Sequence, residues 1–509
     1  MIYSKSLGIT IPQTTVNPFS PQPQIKNNAG GFVFGISNKE ALDRFLFIGT
    51  ENNTYYVSAA ELTINSCTKI KDLIKEDPQY VFNRTMEVLN SRTSFKRDPA
   101  IFVLALLSDS RVKQQVYNMI PTVLKTGTDL LMFVANVNLI RGWSSGLRKA
   151  IARWYTTKSP DVLAYQILKY QNRCGFSHKD VLRLSHPKVK DGHMNNIFKY
   201  IVEKLPGEES GNKLIEATTL AHQTESTEVI LKLLKEGMSW EMLPTEKLNN
   251  QEILKALMYN MPSTALIRNL NRFAYTGLTS INNNFVKDII SKLKETAGLH
   301  PVNILNYMIT YNKGTGLRGS KTWTPNQDIV GALHDLYESS IKTSEIKERT
   351  LIGVDVSGSM NHEVAGQVLN AAELSNVLAY TYKKISPTMV DLVGFDTKIK
   401  DLPYSIKDSV FEVVKKSPRG GGTDCSLPIK YALNNNIKYD KIIILTDSET
   451  WAGKEHSFEL LNQYRKTNPD VKIIEVAMVA NGLASFPDDE KLLRVVGFDS
   501  GVLNLINNF

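Results

Sequence analysis

The chain has 509 residues, 42% apolar and 22% charged, with a formal net charge of +9 and three cysteines. That length calls for two or more domains with real cores, and Cys67, Cys174 and Cys425 lie too far apart in sequence to read as a disulfide framework or a thiolate metal site. No stretch approaches the roughly eighteen apolar residues of a membrane span, and the first residues lack the basic, apolar and small-residue order of a secretory leader, so a soluble cytoplasmic protein is expected.

Residues 1–30 set Pro12, Pro18, Pro21 and Pro23 among Gln, Asn and Ser, ending at Gly30-Gly31. Such a composition reads as an extended N-terminal arm rather than core. From there to residue 346, apolar positions recur at helical spacing in Val81–Leu89, Ala100–Leu107, Asp161–Arg173, Thr227–Glu236, Gln251–Tyr259 and Val286–Glu295. Helix pairs repeating at roughly 35 to 45 residues suit a HEAT-like α-solenoid, in which each pair buries its apolar face on the next. An irregular helical domain is the plainer alternative.

Within this region, residues 141–204 hold 13 Lys/Arg against 4 Asp/Glu, a net of +9 that equals the charge of the whole chain. Localised positive charge suits a polyanion, because each neutralised phosphate releases condensed counterions. Lys169 and Arg173 stand four apart on one expected helix. Ser177 and Asp180 have the spacing of a capping box, opening a helix that carries Lys179, Arg183 and His186 opposite Val181 and Leu184. Upstream, Arg141, Arg148, Lys149 and Arg153 alternate with Trp143 and Trp154, which read as core aromatics. A solvated lysine-rich face is the plain alternative for these stripes, and a structural or capping role for His186.

A charged run, Lys342–Arg349, leads into residues 347–509, which hold 19 Lys/Arg against 21 Asp/Glu. Here Thr350–Val356, Val390–Phe395 and Ile442–Leu445 are apolar runs of strand length, separated by the helix-like stretches Ala365–Lys384 and Asp424–Asn434. That alternation predicts an α/β, doubly wound (Rossmann-like) parallel sheet, which binds ligands at its strand carboxyl ends. Three polar loops fall there: Asp355-Val-Ser357-Gly-Ser359, Thr423 behind Gly420-Gly421-Gly422, and Asp447. Short hydroxyls and carboxylates suit a hard divalent cation that takes about six oxygens and keeps some waters, Mg²⁺ first, with Mn²⁺ or Ca²⁺ as substitutes. Ordinary turn residues are the alternative. A bound metal can activate water, but no poised general base stands out, so no enzyme is expected.

The order Asp-x-Ser-x-Ser, Thr, Asp within residues 349–509 resembles the metal-ion-dependent adhesion site of the von Willebrand factor A domain. By that resemblance Ser357, Ser359 and Thr423 bind the metal directly, Asp355 and Asp447 bind it directly or through water, and a vacant position takes a carboxylate or other anion. The stretch from Lys169 to His186, with Arg141-Gly-Trp143 to Trp154-Tyr155 before it, resembles the signature of the Ro autoantigen family, whose TROVE module precedes a von Willebrand A domain. Together the two resemblances cover most of the chain, and its compact length suits a bacterial or phage member.

What the resemblance implies is a ring of HEAT-like repeats over residues 31–346, its ends bridged by the A domain of residues 347–509. Y-like noncoding RNA would lie on the outer basic surface against Lys169, Arg173 and His186, with His178, Lys179 and Arg183 beside them and Arg148 and Lys149 as further candidates. Single-stranded 3′ ends of misfolded RNA would enter a central cavity. The expected function is then noncatalytic RNA binding in RNA quality control or processing, by a monomer linked through the RNA to an exoribonuclease such as polynucleotide phosphorylase. The competing expectation is a metal-dependent protein-interaction module.

Overall fold

The computed structural model describes residues 9–49, 59–91, 93–281, 283–316, 320–341, 345–362, 364, 367–497 and 502–509. The chain packs as two compact units: Met1–Leu73 with Thr93–Phe95 and Ile341–Phe509, and Ile74–Arg92 with Lys96–Ser340.

The second unit is built of helices, and its sequence shows why they start where they do. Side chains of Thr126, Ser144, Ser159, Ser177, Asp191, Asn212, Ser226 and Asn250 each accept a hydrogen bond from a backbone N–H of the first turn that follows, satisfying donors that a helix leaves orphaned. Packing then links helices two apart in chain order. Asp98–Leu107 lies on Gly127–Ile140, Lys113–Val123 on Ser145–Thr156, and that helix on His178–Ser185, with Asn283–Lys294 later lying on Gln327–Ser340. From Pro78 to Ile201 the helices thus form two rows, each helix contacting the next in its own row, the HEAT-like pattern expected; from Lys213 to Lys294 the contacts run mainly between consecutive helices.

In the first unit, β1 (Ile25–Lys26) pairs antiparallel with β2 (Phe32–Gly35). The helical unit contains a short hairpin of β3 (Asn172–Arg173) and β4 (Phe176–Ser177). The remaining strands are β5 (Thr350–Asp355), β6 (Val390–Phe395), β7 (Ile399–Lys400), β8 (Lys441–Thr446), β9 (Lys472–Ala477), β10 (Leu483–Ala484) and β11 (Leu492–Val496). Six of them form one sheet in the order β11-β9-β8-β5-β6-β7, parallel except for β7. The strand runs expected from the sequence match β5, β6 and β8. Of the two expected helices between them, one spans Ala371–Ile385 and the other Leu427–Asn434. The first begins late because Asn370 and Glu373 form a capping box; residues 365 and 366 of the expected stretch lie outside the described residues.

The chain leaves β5 for β6 on one side and returns to β8 on the other, so β5 and β8 are neighbours whose carboxyl ends face a topological switch point. Beneath it lies a core that includes Leu351, Phe395, Ile442, Ile444, Ile473 and Phe486.

The packing divides the chain differently from the boundary expected near residue 31. β2 pairs with β10, Phe34, Ile36 and Ala41 share a small core with Phe458 and Ala484, and Arg44 donates to the carbonyls of Asn481 and Leu483 at 3.0 and 2.7 Å. Buried apolar side chains on β2 make this segment part of the α/β unit. Its proline-rich composition reflects turns folded against that unit.

Candidate metal centre and nucleic-acid interface

Asp355 ends β5, and Asp447 follows β8. Both carboxylates are almost wholly buried, as are Ser357, Ser359 and Thr423, with none of the five more than 3% exposed. Asp355 accepts from the Ser357 amide at 2.9 Å and from the Thr446 hydroxyl at 2.6 Å. Asp447 accepts from the Glu449 amide at 3.0 Å and from the Ser359 hydroxyl. The Ser357 and Ser359 hydroxyls lie 3.1 Å apart. Gly420 and Gly421, both at positive φ, bring the Thr423 loop across: the Gly420 amide donates to the Val356 carbonyl at 2.9 Å and the Gly358 amide to the Gly421 carbonyl at 3.0 Å. A side chain at Gly421 would meet the Asp396 carboxylate at 2.5 Å, so this close approach requires glycine.

Burial, and then the charge of Asp447, push the Asp355 carboxyl up to about 7. Burial pushes Asp447 up as well. Burial and then the Asp447 charge likewise raise Glu449 to about 7. Like charges held out of water disfavour ionisation, and a divalent cation bound between them would relieve this. The Thr423 hydroxyl is buried without a hydrogen-bond partner, a costly state unless it ligates something. Among the described residues no group of three or more His, Cys, Asp and Glu could hold a metal, so an ion held here would rest on hydroxyls as well as carboxylates. The donor set fits a hard cation.

The basic stretch sits on adjoining elements of the helical unit. Arg148 and Lys149 are exposed on the helix Ser145–Thr156, whose other face buries Leu147, Ala150, Ile151, Trp154 and Tyr155. Trp154 donates its indole N–H to the Leu124 carbonyl at 2.6 Å and is a core residue, as expected.

Lys169 and Arg173 do not share a helix. The helix Pro160–Lys169 stops there, and Arg173 closes β3, joined to β4 by a two-residue turn in which Cys174 (φ 51°) and Gly175 (φ 78°) both take positive φ. This is the turn that matches the twist of a tight hairpin. Lys169 is mostly buried, its side chain 11% exposed, with the ammonium 3.1 Å from the Tyr165 hydroxyl and 3.7 Å from Glu241. Arg173 is exposed.

The Ser177/Asp180 capping box is present, with the Ser177 hydroxyl donating to Asp180 at 2.6 Å. It opens the helix His178–Ser185, on which Arg183 is exposed and Lys179 pairs with Glu203. His186 ends that helix at φ 48° and is also exposed. His178 departs from expectation. It is 3% exposed, bonded through Nδ1 to the Tyr155 hydroxyl at 2.9 Å and stacked 6.0 Å from Trp154. It therefore joins two basic helices from beneath and presents nothing to a surface ligand. Exposed Lys188 and Lys190 extend the patch; they follow the helix and belong to no periodic face, so no spacing in the sequence marks them.

Comparison with known proteins settles the family. A model of the TROVE domain matches residues 25–236 and 230–351, and a model of the Ro60 vWA domain matches residues 349–509. The chain belongs to the Ro family. It is 31% identical over 96% of its length to a Deinococcus radiodurans protein named RNA-binding protein RO60, of which 95% is covered. A Caenorhabditis elegans protein of the same name is 30% identical, over 96% of this chain and 90% of that one. The crystal structure of the Deinococcus radiodurans Ro protein superposes with a TM-score of 0.71 at 29% identity, covering 92% of this chain and 99% of that one.

Proposed function

We propose that this Ro-family protein is a noncatalytic RNA-binding subunit of a ribonucleoprotein acting in RNA quality control or processing. The observation that carries the reading is the open basic face of the helical unit, where Arg148, Lys149, Arg173, Arg183 and His186 are all solvent-exposed on adjoining elements. Two relatives named as RNA-binding proteins support it.

A-form RNA hides its base edges in a deep, narrow groove, so a face of this kind holds backbone and shape. A Y-like structured RNA is its proposed ligand, with Lys169, Arg173 and His186 as principal contacts. Single-stranded 3′ ends of misfolded RNA are assigned to the cavity expected of this family, where positive charge tracks a backbone. The protein is assigned to the cytoplasm as a monomer, meeting an exoribonuclease through the RNA. Among the described residues, no helix is long and apolar enough to cross a membrane.

Asp355, Ser357, Ser359, Thr423 and Asp447 are proposed to hold a divalent cation, Mg²⁺ first. Such an ion supplies positive charge that offsets the buried carboxylates and a Lewis-acidic position for an anionic group. Both aspartates accept hydrogen bonds from hydroxyl and amide donors, which fix the orientation of their carboxylates. A second reading, metal-dependent capture of a protein carboxylate, is favoured by Trp451. It is 36% exposed, and its amide donates to the Thr423 carbonyl at 3.0 Å.

Electrophoretic mobility shift on a structured RNA with a single-stranded 3′ tail separates the two. Wild type is expected to bind, and Lys169→Ala/Arg173→Ala/His186→Ala to lose at least about tenfold, each lost phosphate contact removing a counterion-release contribution. If wild type shows no salt-sensitive binding, the RNA reading fails and metal-dependent protein capture replaces it.

A further inference from the structure

We infer that the turn Asn27–Gly31 is a positioning element for the metal loops, so that the N-terminal arm sets the affinity of the metal site. The inference rests on the metal reading above. Three features of the arm carry it.

The first is where the arm lands. The Asn28 amide and side-chain amide donate to the Glu449 carboxylate at 3.0 and 2.7 Å, and the Ala29 amide adds a third bond at 3.3 Å. The Asn27 side chain donates to the Thr450 carbonyl at 2.7 Å and accepts from the Gly31 amide at 2.7 Å. Residues 27–31 thus grip two consecutive residues of the loop after β8.

The second is what that loop holds in turn. The Glu449 amide donates to Asp447. The Thr450 hydroxyl and the amides of Trp451 and Ala452 all donate to the Thr423 carbonyl, at 3.3, 3.0 and 2.9 Å. Two of the three metal loops are therefore one hydrogen bond from the stretch that the arm grips. The loop is also strained, since Ser448 adopts φ 61°, a conformation that a non-glycine residue keeps only when its surroundings hold it there.

The third is the closeness of the fit. A side chain at Gly31 would meet the Thr450 carbonyl oxygen at 2.0 Å and the Trp451 Cα at 2.9 Å, so no residue but glycine seats the turn at this depth. The Gln13 amide also reaches the loop after β8, donating to the Gly453 carbonyl at 3.0 Å, whereas Asn17 anchors the arm away from the metal loops, donating to Glu459 at 2.9 Å, and His456 bonds the Thr15 carbonyl at 2.9 Å.

That division supplies the control. Groups that orient metal ligands at one remove typically change metal affinity about 10- to 100-fold when removed, whereas a bond that only fastens the arm changes stability. Full-length protein stripped of metal is titrated with Mn²⁺ by isothermal calorimetry, alongside melting of the metal-free protein. Asn27→Ala/Asn28→Ala is expected to weaken Mn²⁺ binding by at least about tenfold, Asn28→Ala alone to weaken it less, and Asn17→Ala to leave it unchanged while lowering the metal-free melting temperature. Equal affinity in wild type and Asn27→Ala/Asn28→Ala overturns the inference and leaves the metal reading intact. An equal loss in Asn17→Ala also overturns it, since the effect would then be general destabilisation. Absence of Mn²⁺ binding by wild type removes the metal reading and the inference with it. Should Asn27→Ala/Asn28→Ala fail to fold, Asn28→Ala, altered at an exposed position, decides by the same comparison.

Discussion

His178 lies within a basic run in sequence and between aromatic side chains in space. Burial pushes its imidazole from 6.5 down to about 4, because an ion enclosed by Tyr155 and Trp154 loses its hydration without gaining a counter-charge. The unfolded chain takes up a proton as pH falls below 6.5, while the folded chain refuses it until about 4. The stabilising contribution is therefore present above 6.5 and lost across that window, by about 3 kcal/mol in total. His178→Gln should flatten the fall in urea midpoint between pH 7 and pH 4 relative to wild type, and an unchanged slope would refute the burial argument. Nothing in the sequence separates His178 from Lys179, its neighbour in the basic run. A one-residue rotation about the helix decides which side chain meets Tyr155, and that rotation is set by the packing of another helix.

At the scale of elements, the loops after β5 and β8 were legible in the sequence because each continues a strand end into short polar residues, whereas the Thr423 turn follows the helix Val410–Lys416 and meets them through backbone bonds to Val356 and Gly358. Hydrophobic runs place the strands, and the parallel order then brings the loops together. Such a preassembled set predicts a ligand effect on stability: saturating Mg²⁺ at about 100 times its dissociation constant should stabilise the protein by about 2.7 kcal/mol, a rise of roughly 5 to 11 °C in melting temperature for a domain of this size. Ser359→Ala or Thr423→Ala should abolish the shift, which a thermal melt with and without EDTA reads directly.

The hairpin Asn172–Ser177 was not legible. Helical periodicity runs on through Arg173, and the turn depends on Cys174 adopting positive φ, which cysteine seldom signals. Its consequence is that Arg173 stands exposed at the end of β3, off the helix that carries Lys169. The role of Glu449 was hidden for a similar reason, since its partners Asn28 and Ala29 stand more than four hundred residues away.

Across the molecule, charge is divided between modules. Residues 141–204 carry the basic excess, and residues 347–509, with 19 Lys/Arg against 21 Asp/Glu, are close to neutral. RNA affinity should accordingly fall steeply with salt while metal binding depends on it little, because buried ligands are weakly screened. A plot of log affinity against log salt is expected to flatten by about two units in Lys169→Ala/Arg173→Ala/His186→Ala, one for each of the two lost permanent cations. An unchanged slope would mean that these residues meet no phosphate. The two modules were legible from composition alone. Their interleaving was not, because β2 pairs with β10 through backbone groups that leave no mark in either sequence.

That strand pairing bears on how the protein is made. A ribosome delivers Phe32–Gly35 long before Leu483–Ala484, and in the interval the helices from Ile74 to Ser340 can fold while the first segment waits with apolar Phe34 and Ile36 uncovered. Biosynthesis should therefore pass through a stage in which the middle is native and both ends are not, the period when a chaperone would be needed. Chains halted before β10 should be cut by protease within their first seventy residues or so, and not in the helices.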